Sequence, residues 1–126
     1  AVNATQCAID EGIVAGGETA LMKASRILEH DTTEGSKVLR KALSAPFLRL
    51  LANAGISDGE LISRGLKSQG GMGIDVMSGE IVDLLKIGVI DPVKVSRSAL
   101  MNAVSVACEV LTTDCLIVEG EKKLES

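Results

Sequence analysis

Apolar positions recur at helical spacing through most of the chain and give way to short extended runs in only a few places. The longest helical pattern lies between Gly88 and Thr113. Its apolar and small residues include Val95, Ala99, Leu100, Ala103, Val104, Val106, Ala107, Val110 and Leu111. That stripe is wider than one buried face requires, so the pattern predicts a long central helix packed on several sides. Asp91 is a good N-cap for it. Pro92 suits the first helical position, where its missing donor would be orphaned in any case.

Upstream, Val2 to Ile13 fits a helix with Cys7 and Ala8 facing inward, although Gly12 interrupts it. The Gly16-Gly17 pair then precedes a second helix, Glu18 to His30, in which Leu21, Met22, Ser25 and Leu28 recur near helical spacing. Glu18 in the first turn suits the positive end of that helix. Asp31-Thr32-Thr33 forms a loop with a cap for a third helix, Glu34 to Ala45, whose apolar face carries Val38, Leu39, Ala42 and Leu43. Pro46 is expected to end this helix or to open the next. A short helix follows through Phe47, Leu48, Leu50 and Leu51, closed by Asn53-Ala54-Gly55. Ser57 or Asp58 caps another that carries Leu61, Ile62 and Leu66.

Ser68 to Gly73 reads as a break. Ile74–Val76 and Glu80–Val82 predict a small β-hairpin around Met77-Ser78-Gly79. Val82 to Ile87 fits one or two helical turns, and Asp114–Val118 a strand with no partner of comparable strength in the chain. The expected fold class is mainly α: a helical bundle around a long central helix, with a small β-hairpin and a C-terminal strand.

Composition narrows the picture. The chain has 126 residues, enough for one domain. Phe47 is the sole aromatic residue, so the core must be built from Leu, Ile, Val, Met and Ala, which suits close helix packing. The net charge of -4 argues against a nucleic-acid surface, and Lys37, Arg40 and Lys41, the nearest approach to a basic cluster, read as a solvated helix face. Cys7, Cys108 and Cys115 form an odd set without metal-ligand spacing, which fits reduced thiols and a cytoplasmic setting. No apolar run is long enough to cross a membrane. His30, beside Asp31, reads as a solvated helix-end residue, and no Ser/His/Asp or Cys/His constellation offers a catalytic site. The chain starts at Ala1, already inside a helical pattern, which reads as a piece of something longer.

Three stretches together carry a family resemblance: Glu11 to Gly17, Gly73 to Gly79, and Gly88 to Leu100 (GVIDPVKVSRSAL). In order and spacing they resemble the C-terminal half of the equatorial domain of group I chaperonins, the GroEL type. The resemblance implies that residues 1–126 are part of an ATP-binding domain whose other half comes from the opposite end of a longer chain. It places Gly17 beside the nucleotide, Asp75, Val76 and Met77 over the base, and Asp91 at the ribose. Taken without the resemblance, Gly17 equally fits a helix–helix turn, Asp75 a turn or strand end, and Asp91 the helix cap. A carboxylate has lone pairs enough for both duties. Two departures stand out: Glu18 occupies the place of a third glycine, and Asp75 stands where many bacterial members have Asn.

The resemblance further implies that the family's catalytic aspartate precedes Ala1, and that the phosphate loop and metal-ligating aspartate belong to the other half of the domain. Phosphoryl transfer depends on those parts. The parent protein is therefore expected to use ATP and magnesium, while this chain holds no catalytic or metal residue and lacks ATPase activity alone. Expected partners of the parent are further subunits in a double ring, a co-chaperonin and unfolded client proteins; the isolated chain is expected to self-associate. The charged pair that commonly joins opposite rings is not reproduced at Leu48 and Ser57, although Arg49 and Asp58 lie one step away. The competing expectation is a stand-alone helical interaction module that binds no nucleotide.

Overall fold

The fold is that of a computed structural model, which describes residues 2–115 and 117. It is mainly helical. Helix α1 (Val2–Glu11) leads into strand β1 (Ile13–Ala15), then α2 (Thr19–Ala24), a 3-10 turn (Ser25–Leu28), α3 (Glu34–Asn53) and α4 (Gly59–Lys67). Strands β2 (Met72–Asp75), β3 (Glu80–Asp83) and β4 (Ile90–Pro92) precede the last helix, α5 (Val93–Thr112). Two antiparallel pairs form among these strands: β2 with β3 as the expected hairpin, and β1 with β4 across most of the chain.

The core lies under α2, α3, α4 and the hairpin. Met22, Phe47, Leu51 and Ile74 are its buried centre, ringed by Ile56, Leu61, Ile62, Leu66, Val76 and Ile81. Helix α3 contributes Leu43, Phe47 and Leu51 at steps of one helical turn, all buried. That stripe explains why Pro46 neither ends the helix nor starts a new one. Proline in a helix interior costs about 3 kcal/mol, but the ring of Pro46 is exposed and the residues on either side of it bury one continuous face. The helix therefore runs unbroken for 20 residues.

Its ends obey local rules. Thr33 caps the start, its hydroxyl accepting from the Ser36 amide at 3.4 Å, while Asp31 accepts from the Thr33 amide at 2.9 Å and from the Ser36 hydroxyl at 2.6 Å. Those hydrogen bonds, Ser36 foremost, hold the Asp31 carboxyl below the usual carboxylate range. At the other end Gly55, at φ +74, closes a Schellman turn: its amide donates to Ala52 O and that of Ile56 to Leu51 O. Asp58 caps α4 through the amides of Glu60 and Leu61, at 2.8 and 3.2 Å.

Three expectations about the second half change. Asp91 does not cap α5. The residue before a proline is driven to extended geometry, and here that geometry is taken up by the β1–β4 ladder, with Asp91 opposite Val14. The helix starts one residue later, behind Pro92, and the Val93 amide donates to Gly12 O at 3.1 Å instead. Residues 84–88 form hydrogen-bonded turns rather than helix, and Val76 belongs to the turn, not the strand. Residues 116 and 118 of the expected strand Asp114–Val118 lie outside the described residues.

The expected long helix is present, but the expectation that it is packed on several sides is not met among the described residues. None of the twenty residues of α5 is buried, and Leu111 is 84% exposed. Its main helical neighbour is α1. Arg97 grips Glu11 with two hydrogen bonds, at 3.0 and 2.5 Å, and Lys94 reaches Asp10 at 2.8 Å, where Gln6 also donates.

These partners hold the carboxyls of Asp10 (by Lys94, then Gln6) and Glu11 (by Arg97) below their ordinary values. A carboxylate with a lowered folded-state pKa stabilises above its unfolded value and loses that contribution as pH falls through the folded one. Acidification through and below the ordinary carboxylate range is therefore expected to loosen α5 from α1 first, while the apolar core persists. Amide hydrogen exchange of α1 and α5 against α3 checks this; uniform acid loss across all helices would contradict it.

Candidate functional site

The expected site residues fall on the loop between β1 and α2, on β4, and at the tip of the hairpin. Gly16 and Gly17 follow β1 directly. The Gly16 amide donates to Val89 O at 2.9 Å, extending the ladder beyond Ala15 and Ile90. A Cβ at Gly16 would sit 3.1 Å from Ile90 N and 3.2 Å from Val89 C, so only glycine lets the two backbones approach this closely. Gly17 then turns the chain with φ +63, and Glu18 repeats the left-handed geometry at φ +59. Gly17 is needed for that turn: its missing Cβ points toward Leu50 Cδ2, 3.7 Å away, not into an opening.

Glu18 is the one non-glycine residue with positive φ among the described residues. An L-residue other than glycine pays roughly 1–2 kcal/mol for this conformation. Glu18→Gly is expected to raise stability by about 0.5–1 kcal/mol, the strain relief being partly offset by the greater freedom of glycine in the unfolded chain. Urea denaturation checks it, and a destabilised variant would show that the carboxylate has a compensating role.

Asp91 sits on the ladder opposite Val14, three residues before Gly17, which places the two on the order of 10 Å apart. Its carboxylate is half-buried and takes no hydrogen bond or ion pair among the described residues. Relieved of the expected cap, it is chemically free. Asp75, at the end of β2, is in the opposite condition. Its two oxygens accept from the amides of Met77 and Ser78 at 3.2 and 3.1 Å, and its own carbonyl accepts from the Gly79 amide. Hydrogen bonding, from Ser78 first and then Met77, holds its carboxyl below the usual range. Asp75 thus shapes the turn, with lone pairs to spare. Val76 packs against the core and Met77 is 91% exposed.

What joins these two places was not anticipated. Gly73, two residues before Asp75, packs against Thr19 at the start of α2. A Cβ there would lie 2.9 Å from Thr19 Oγ1 and 2.5 Å from Leu84 Cδ1. Thr19 is fully buried and its hydroxyl has no hydrogen-bond partner among the described residues. Lys23 and Arg26 stitch the same seam farther along. Lys23 Nζ donates to the carbonyls of Gly70 and Met72 at 2.7 and 2.6 Å, and Arg26 to those of Ser68 and Lys67 at 2.8 and 3.4 Å. Desolvation pushes the Lys23 ammonium down from its ordinary value, with Arg26 adding to the effect. Helical spacing places both cations on the surface; only the carbonyls of the Ser68–Gly73 break, invisible as acceptors in sequence, explain them.

Among the described residues no three His, Cys, Asp or Glu side chains group closely enough to hold a metal ion, and no helix is long and apolar enough to cross a membrane. The family model of the TCP-1/cpn60 chaperonins matches residues 1–121. The chain belongs to the chaperonin family. Its fold agrees with a solved chaperonin: a group III chaperonin crystallised in the open state superposes with a TM-score of 0.78 at 28% identity, over 88% of this chain. The match spans 25% of that relative, so this chaperonin chain corresponds to about a quarter of its length. The fold described above is thus a chaperonin fold.

Proposed function

We propose that this chain is one part of the ATP-binding domain of a protein-folding chaperonin, and that it supplies one wall of the nucleotide pocket. The observation that carries the reading is the free, half-buried carboxylate of Asp91, held on the β1–β4 ladder close to the Gly16-Gly17 loop. A ribose hydroxyl is a suitable donor to it, and the left-handed turn at Gly17 follows the strand that pairs with Asp91. Asp75, Val76 and Met77 form the more distant edge, where the exposed Met77 gives a base an apolar surface. ATP with magnesium would be completed by groups outside residues 1–126, and this wall alone turns nothing over.

The resemblance of Gly88 to Leu100 supports assignment to group I; the solved relative belongs to group III. The exposed apolar residues of α5 support a second half of the domain as their cover: Met101, Val106, Val110 and Leu111 leave apolar surface on more than one side of the helix, of the kind that a partner buries. Neighbouring subunits in a ring, a co-chaperonin and unfolded clients are then partners of the whole protein, in a cytoplasmic setting. In the longer protein Asp91→Ala is expected to weaken ATP binding about tenfold, the worth of one hydrogen bond to a charged group. Because Asp91 caps no helix, its fold should be retained. Calorimetric titration with ATP checks this, and unchanged affinity in a folded variant would remove Asp91 from the pocket. The same apolar surface favours one other reading, an interaction module that binds no nucleotide. Absence of ATP binding by the unsubstituted longer protein would support it.

A further inference from the structure

The structure holds a cleft of about 320 Å³ that the nucleotide reading does not use. It opens between the 3-10 turn, α3 and α4, on a floor of Met22 and Leu66. Arg26, Arg40 and Lys67 come to it from three different elements, with Glu29 as the single acidic residue in its lining. In a chain of net charge -4 this convergence is a local reversal of sign. Arg40 is one of the three basic residues that the sequence groups together, and α3 directs it here.

The three cations are not equivalent. Arg26 is committed: its guanidinium donates to Ser68 O and Lys67 O and caps the C-terminal carbonyls of α4. The side chains of Arg40 and Lys67 have no hydrogen bond or ion pair among the described residues, and neither does that of Glu29. Between them lie two hydroxyls. Ser25, 5% exposed, donates to Met22 O at 2.6 Å, which leaves its oxygen to accept from Ser44 over a long 3.3 Å. The Ser44 hydroxyl also faces the Arg40 carbonyl at 3.2 Å, so its proton is shared between two long bonds and can be redirected to a stronger acceptor. The cleft therefore offers two unpaired cations, one rotatable hydroxyl donor and a volume at the lower end of small-molecule sites, about 300–1,000 Å³.

We propose that this cleft binds a small polyvalent oxyanion, phosphate- or carboxylate-bearing, through Arg40, Lys67 and Ser44. Glu29 sets the affinity by opposing it. Charge-assisted contacts to a guanidinium and an ammonium supply the attraction. The site is distinct from the Asp91 wall, which shares no residue with it.

The test is amide NMR of this chain titrated with sodium pyrophosphate, and separately with citrate, at constant ionic strength. Saturable shifts centred on Ser25, Ser44 and Lys67 are expected, and the tighter of the two arms assigns phosphate or carboxylate. Arg40→Gln and Lys67→Gln, both at exposed positions, should each weaken binding roughly tenfold. Glu29→Gln should tighten it, and Asp91→Ala should leave it unchanged. Linear, unsaturated shifts would overturn the proposal. So would shifts centred on Gly17 and Asp91, or a response unaltered in the Arg40→Gln, Lys67→Gln double variant.

Discussion

Phe47→Ala is expected to lower stability by about 3–5 kcal/mol. The ring is 1% exposed at the centre of the core, between Met22, Leu51 and Ile74. Its Cζ lies 3.7 Å from the position a Cβ would take on Gly65, so the ring also seats α4 against α3. No other aromatic residue exists to refill the space, and the flanking side chains are held by α2, α3 and β2. For a domain whose whole stability is on the order of 5–15 kcal/mol, the loss is a large fraction. Urea denaturation measures it, with Phe47→Leu as a milder companion expected to cost less than half as much. A loss below about 1 kcal/mol for alanine would mean that the core collapses around the gap.

Gly73→Ala is expected to cost about 1–3 kcal/mol through overpacking. The new methyl would stand 2.5 Å from Leu84 Cδ1 and 2.9 Å from Thr19 Oγ1. Leu84 is fully buried, so its methyl has nowhere to swing, and Thr19 is pinned at the start of α2. Relief would come only by shifting the hairpin, and Asp75 to Met77 with it. The decisive measurement is a double-mutant cycle: Leu84→Ala opens the space that the added methyl needs, so the double variant should lose clearly less than the two single losses combined. Strict additivity would show that the strain is relieved elsewhere.

Much of this was legible in the sequence. The caps at Thr33 and Asp58 and the Gly55 terminus were readable because each rests on bonding within a few residues. The hairpin was too, since Gly79 supplies the turn. Pro46 misled because a local breaker was outweighed by burial of Leu43, Phe47 and Leu51, which only the tertiary packing reveals. The β1–β4 ladder was not legible at all. Two three-residue strands carry no periodicity, and their pairing joins residues from opposite ends of the chain. That single omission also misassigned Asp91, whose extended geometry serves the ladder before any helix.

The motif comparison singled out Gly17 and Asp91, and the structure sets them at one ladder. It could not foresee that Asp75 spends both oxygens on its own turn, because the geometry of a four-residue loop decides that. Lys23 and Arg26 escaped notice for a similar reason. Their partners are backbone carbonyls, which look alike at every position of a sequence.

The ladder has a topological consequence. The hydrogen bond from the Gly16 amide to Val89 O ties off everything between them like the neck of a bag. Every core residue around Met22, Phe47, Leu51 and Ile74 lies inside that loop, and α1 and α5 leave from its mouth side by side. The enclosed segment is thus a self-contained insert with adjacent ends, grafted onto a two-helix stem. The stem can join a larger body, or change length, without rethreading anything inside. Asp91 lies on the collar where insert and stem meet, where a movement of one against the other would be felt.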